Sequence, residues 1–353
     1  MLWVLFVLAF GCSEQVIAEA NPLHITPEMQ SFFEERVPRT LPPIERLQAL
    51  VDAMFDEEGL GFRYENATRS AAETFNAAAG DCLSFTFLLI AVGRHLGFDL
   101  QFREVEVAPT WSKRGGLVVF NRHVDAVAFI GVRMYLIDLF PQVNAIQIAG
   151  YLIPDERGTA HYLNNRGADL FSKGQFDGAI NRFLSALELA PDAAFIWANL
   201  GAAQVYRGEL QDAEQSYLRA ISLEEDNMIA LTNLATLYEK VGRIDESERL
   251  FERVEQFRQK NPYYHFALGE EALSLGAYET ALAEFKMAVK IKPKEHHFHH
   301  ALARAYARLG DMKRVVEHLE RAEEYAPDDA GRMRYSQKLE ILARGSVAAR
   351  LIP

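Results

Sequence analysis

An apolar stretch from Leu83 to Leu96 is bracketed by residues that start and stop helices, Asp81 before it and Gly97 after it. Asp is a good N-cap and Gly a natural C-terminal stop, so the pattern predicts a helix of about fifteen residues opening at Cys82. Upstream, Pro42-Pro43 precedes Ile44, Leu47, Leu50, Val51, Met54 and Phe55, whose spacing keeps one apolar face. A shorter helix is expected over 70–78 with Phe75 inward, and the Pro-punctuated residues 21–41 are expected to wrap these elements. Past Gly97 the period changes. Leu100, Phe102, Val105 and Val107 alternate with polar residues as in a half-buried strand. Runs 117–129 and 132–139 are apolar and β-branched around Ile130-Gly131, and read as a hairpin. Helices followed by antiparallel strands predict an α+β domain.

From about residue 158 the pattern becomes periodic. Small residues recur at Gly167, Gly201, Ala235, Gly269 and Ala303, every 34 residues. Twelve positions after each stands Ala179, Ala213, Ser247, Ala281 or Val315, and sixteen after each stands Phe183, Tyr217, Phe251, Phe285 or Leu319. The unit resembles the tetratricopeptide repeat, a pair of antiparallel helices stacked into an all-α solenoid. The small residues would let two helices approach and the large ones would fill between them. The expected organisation is a signal segment over 1–20, the α+β domain over 21–157, five repeats and a capping helix over 158–343, and a tail over 344–353.

The resemblance implies a groove lined by the first helix of each unit. Its expected lining is Asn164, Phe195, Tyr206, Thr232, Tyr263, Phe266, His297, His300 and Arg304, a mixed aromatic and polar surface suited to a protein or peptide partner. A net charge of -12 without a long basic run argues against nucleic acid. His296 and His300 are spaced i, i+4, but no acidic or thiol ligand is evidently placed to complete a shell, so neither a metal nor another cofactor is expected.

Only two cysteines are present, Cys12 and Cys82. Cys12 ends an apolar run too short to span a bilayer, which reads as the core of a secretory signal. Ala9-Phe10-Gly11-Cys12 resembles a bacterial lipobox, with Cys12 as the lipidated residue, and Ala18-Glu19-Ala20 offers ordinary cleavage after Ala20. Either route places the chain in a bacterial envelope, periplasmic or as an outer-membrane lipoprotein, with membrane contact only through a lipid on Cys12. Cys82 would then be the remaining thiol.

A thiol at a helix N-terminus is biased toward thiolate by unpaired N–H groups and the helix dipole. A hairpin centred between Ile130 and Gly131 pairs residues whose numbers total 261, which makes His123 and Asp138 cross-strand neighbours with Cβ atoms about 5 Å apart. Gly80-Asp81-Cys82, Asn121-Arg122-His123-Val124-Asp125 and Tyr135-Leu136-Ile137-Asp138-Leu139 together resemble the transglutaminase-like branch of the papain-type fold, over about 45–142. That resemblance implies Cys82 as nucleophile, His123 as base and acid, and Asp138 as the group orienting His123. The chain departs from the family where an aromatic and a Glu often follow the histidine, and here Val124, Asp125 and Ala126 stand. Two functions are therefore expected: an exported thiol enzyme, protease, amidase or acyltransferase, acting on a peptide or amide bond, or a catalytically silent envelope scaffold using both domains for protein binding.

Overall fold

The structure is a computed structural model, and it describes residues 21–106, 112–114, 117–119, 123–137, 149–327 and 329–343. Its compact units are two: residues 21–106 with 123–137 and 149–225, and residues 112–114 and 117–119 with 226–327 and 329–343.

The first unit begins with α1 (Pro27–Arg36), where the sequence suggested only a wrapping segment. Thr26 caps it through the Met29 N–H, and its Met29 and Phe33 are fully buried. There follow α2 (Pro43–Phe55), β1 (Arg63–Tyr64), α3 (Ala71–Ala77), β2 (Ala79–Gly80) and α4 (Cys82–His95). Every residue of α4 from Leu83 to Gly93 is buried, which explains why its sequence is apolar all round instead of on one face.

Strands β3 (Asp99–Glu106), β6 (His123–Ile130), β7 (Arg133–Ile137) and β8 (Ala149–Ile153) form one antiparallel sheet in the order β7-β6-β3-β8. The face carrying Leu100 and Phe102 meets the helices. Phe102 lies 4.9 Å from Phe87 of α4, and a Cβ on Gly93 would strike Leu100. Helix α5 (Asp155–Ser172) covers the same face, with Gly158 directly beneath the Phe102 ring and Tyr162 5.7 Å from Phe87. The expected boundary at 157 thus falls inside α5. This helix both shields the sheet and pairs with α6 (Phe176–Leu189), ahead of a second pair, α7 (Ala194–Arg207) and α8 (Leu210–Leu223).

The expected hairpin needs correcting. The turn is Gly131-Val132, with Gly131 at φ +60°, and Ile130 faces Arg133. Partners therefore total 263, two more than expected, because the tight turn takes the residue that can adopt a positive φ and leaves Ile130 in the strand. A shift of two keeps the facing of each side chain but moves every direct neighbour. The run 117–129 is also not one strand. β5 (Leu117–Val119) pairs instead with β4 (Ser112–Arg114).

That β4–β5 ribbon belongs to the second unit, where β5 lies against α9 (Met228–Lys240). The helices continue as α10 (Ile244–Lys260), α11 (Pro262–Ser274), α12 (Tyr278–Ile291), α13 (His296–Leu309), α14 (Met312–Glu324) and α15 (Asp329–Ala343). The glycine anchors have a steric cause. A Cβ on Gly167 would come within 2.6 Å of Phe183, and one on Gly201 within 2.7 Å of Tyr217; at Gly269 the overlap with Phe285 is closer still. Among the described residues no helix is long and apolar enough to cross a membrane.

Candidate functional site

Two places gather chemically capable side chains, one in each unit. In the first, α4 opens at Cys82, whose side chain is partly buried. Its N-cap is braced from three sides. Asp81 accepts from the Ser84 N–H at 2.8 Å, from the Ser84 hydroxyl at 2.7 Å and from the Thr68 hydroxyl. The Arg69 N–H donates to Ser84 Oγ at 2.8 Å, and Arg166 of α5 donates to the Thr68 carbonyl at 3.2 Å. Gly80 is required here because a Cβ would overlap Ser84. The parallel β1–β2 pairing sets Tyr64 opposite Gly80, beside the thiol. Burial raises the pKa of the Tyr64 hydroxyl, and the negative potentials of Cys82 and Asp81 raise it further.

One turn into α4, the Thr86 hydroxyl donates to the Cys82 carbonyl at 2.9 Å and meets the Val124 carbonyl at 3.3 Å. The first turn of α4 therefore rests on the beginning of β6, next to His123. The sheet register qualifies that proximity. Val124 and Ala126 oppose Glu104 and Phe102 on the helix-covered face, whereas His123 opposes Val105 and shares the other face with Asp125 and Arg103. Asp138 and Cys12 lie outside the described residues, as do Asn121, the whole of 1–20 and the tail 344–353.

Sequence reading missed two buried ionic groups in this unit. Asp125 is fully buried and held bidentately by Arg103, at 2.9 and 2.6 Å. Buried Glu104 accepts from Arg157 at 3.1 Å and lies 3.0 Å from His161 Nε2. Glu104 sits in a strand read as alternating and Asp125 in a run read as apolar and β-branched, and each partner comes from another strand or from α5. A period-2 pattern carries no sign of such a pairing.

The expected groove residues divide between the units. Asn164 and Asn199 join side chains at 2.8 Å, both buried, and Phe195 is buried in a stack on His161, so Phe195 is core and lines no open surface. The cause is α5, whose His161 offers a flat partner that the repeat pattern does not reveal. Tyr206 is exposed over 44% of its surface, its ring stacked on Phe176. In the second unit Thr232, Tyr263, Phe266, His297, His300 and Arg304 are all half-buried. Tyr263 accepts from Lys292 at 2.6 Å, Phe266 packs 5.2 Å from Phe298, and Arg304 Nη1 meets both oxygens of Glu270 at 2.9 Å.

The histidine cluster of α13 fastens this helix to its neighbours. His296 Nδ1 lies 2.9 Å from the Tyr335 hydroxyl, His300 Nε2 2.9 Å from Lys338 Nζ, and His299 Nδ1 3.2 Å from His318 Nδ1. Burial pushes His300 down to about 3, with Lys338 and Arg304 adding to the shift, and burial together with His299 pushes His318 to about 4. The i, i+4 pair His296 and His300 therefore engages α15. Ligand atoms of Glu295, His296 and His297 do lie within 4.8 Å of one another, but the Glu295 carboxylate is paired with Lys292 at 2.7 Å.

Comparison with known proteins agrees with the repeat. Family models described as TPR repeat and tetratricopeptide repeat match residues 167–205, 232–296 and 272–337, so the chain carries tetratricopeptide repeats. No curated protein matches the chain. Among solved structures, the chain is similar to a MamA protein at 20% identity, covering 47% of this chain and 91% of that one with a TM-score of 0.27. YrrB, described as a TPR protein with an unusual peptide-binding site, is 19% identical over 50% of this chain and 92% of its own, with a TM-score of 0.27. MamA from Desulfovibrio magneticus RS-1 is 17% identical over 49% and 96%, with a TM-score of 0.28.

Proposed function

We propose that the chain is a protein-binding scaffold whose repeats receive a protein or peptide partner. The observation that carries this reading is the row of half-buried aromatic and polar side chains on the first helices of the second unit: Tyr263 and Phe266 on α11, and His297, His300 and Arg304 on α13. Stacked repeats commonly use such a face to hold extended or helical segments. A photo-crosslinking amino acid placed at Phe266 tests it in cells. Cross-links to partner proteins should be several-fold more abundant from position 266 than from the exposed second-helix positions Leu218 and Met287. Equal yields from all three would remove the reading.

A second reading, thiol chemistry by a transglutaminase-like domain, rests on the braced N-terminus of α4 beside β6. Cys82 would attack a peptide or amide carbonyl; His123 would have to take the thiol proton by reaching round the end of β6 from the sheet face its register assigns it, with Asp138 orienting the imidazole from beyond the direct cross-strand position. The acyl-enzyme would be resolved by water or an amine. Reactivity of Cys82 toward iodoacetamide should persist well below pH 7 and fall in His123→Ala. A rate that simply follows an ordinary thiol near pH 8.5 would remove this reading. Placement in a bacterial envelope, through a lipid on Cys12 or cleavage after Ala20, is part of both readings. Processing that is sensitive to globomycin and incorporation of labelled fatty acid select the lipid route; unlabelled protein ending its signal at Ala20 selects cleavage.

A further inference from the structure

Three charged positions of the second unit repeat at the helical-pair period. Glu270 and Arg304 are separated by 34 residues, and Lys338 follows Arg304 by the same interval, so they occupy equivalent places on α11, α13 and α15. One turn earlier on each helix stand Phe266, His300 and Arg334. The capping helix thus extends the row of first helices and brings two cations to it.

The charges in this row do not balance. Glu270 is the carboxylate of the row, and Arg304 occupies both of its oxygens. The partner of Lys338 is the uncharged ring of His300, and among the described residues neither Lys338 nor Arg334 has an ion pair. The imbalance is felt. Burial, Arg304 and Arg334 lower the pKa of Lys338, while burial, Lys338 and Arg304 push His300 to about 3. Cations held near one another with too few carboxylates are what an anion site looks like before its ligand arrives.

We propose that Lys338 and Arg334, with Arg304 beside them, bind acidic side chains of an extended peptide partner, the aromatic flank of the row taking its apolar residues. This rests on the scaffold reading and names the partner's chemistry. Arg334 and Lys338 are spaced i, i+4, which sets them about 6 Å apart on one helix face. Alternate side chains of an extended strand are about 7 Å apart. An acidic residue, any residue and a second acidic residue therefore meet both cations at once, which a single chain terminus does not. The net charge of -12 disfavours a polyanion such as nucleic acid, whereas a short acidic segment needs only the local field.

Fluorescence anisotropy on the full chain at low salt tests this with a labelled peptide of alternating Glu and Tyr, blocked at both ends, against its Gln–Tyr counterpart. The Glu peptide should bind about tenfold or more tightly. Lys338→Met, which keeps the side-chain stem, and Arg334→Gln at an exposed position should each shrink that preference, and together abolish it. In NMR titrations the bound Glu peptide should raise the midpoint of His300. Equal affinity for both peptides would leave the scaffold reading standing and overturn the acidic partner. Binding of neither would count against both. A preference that survives the double variant, or a Gln–Tyr peptide with a free C-terminus matching the Glu peptide, would likewise overturn the proposal.

Discussion

Repeat 4 and repeat 3 differ by one methyl group at the place where their helices cross. In repeat 4 Gly269 leaves room for Phe285, which is wholly buried between α11 and α12. In repeat 3 the same place holds Ala235, and the equivalent ring, Phe251, stays 37% exposed. Helix α10 buries only Ser247 and Val254, and Ser247 spends its hydroxyl on the Ala235 carbonyl at 2.8 Å. Repeat 5 shows the remaining combination, Ala303 with Leu319, and there the smaller side chain is fully buried. Glycine admits a ring and alanine admits leucine. Alanine facing a ring sends it outward, because a close-packed interior cannot absorb an added methyl without displacement.

The comparison can be broken most directly by truncation. Phe285→Ala should cost about 3–5 kcal/mol in urea unfolding followed by circular dichroism, since it empties a buried ring site. Equal losses for Phe285→Ala and Phe251→Ala would erase the distinction. Gly269→Ala should cost about 1–3 kcal/mol by overpacking against Phe285. A neutral result would show that the ring has room to shift.

Acid sharpens the contrast with repeat 5, whose helices α13 and α14 meet through histidines. His299, His300 and His318 all have lowered pKa values in the folded chain, with His318 at about 4 and His300 at about 3. A depressed base binds its proton more readily when unfolded, so stability is complete above about pH 6.5 and declines as pH falls toward these folded values. Thermal melts between pH 7 and 4 should show that decline, and His318→Phe should flatten it. The smallest effect is expected for Phe251→Ala, about 1–2 kcal/mol, because a ring 37% exposed loses less on removal.

Several of these features were legible in the chain itself. Asp81 and Gly97 mark the ends of α4 within a residue or two because caps are local chemistry. The recurring small residues mark the repeats because each reports one helix crossing. What escaped the sequence was relational. Ala235 and Gly269 both count as small, yet only the facing side chain decides what one methyl does. Ile130 and Gly131 both sit at the tip of an apolar run, and the turn fell one residue later because Gly131 tolerates the positive φ. The 117–129 run divided between β5 and β6 since apolar periodicity does not say which neighbour a strand pairs with. For the candidate thiol site, the position of Cys82 followed from capping, whereas the facing of His123 depended on pairing with β3. Lys338 could have been found by carrying the 34-residue interval from Glu270 and Arg304 into the capping helix.

Helix α5 has a consequence for how such a chain can be inherited. Its Gly158 and Tyr162 complete the sheet's core, and its Arg157 and His161 answer Glu104 of β3, while its later turns pair with α6. A recombination event that joined the sheet to a foreign repeat array at residue 157 would strip Phe102 of the α5 side of its cover and leave Glu104 with Arg157 but without His161. The seam can be transmitted only with residues 155–172 attached to the sheet, so repeats can be gained or lost beyond it far more readily than at it.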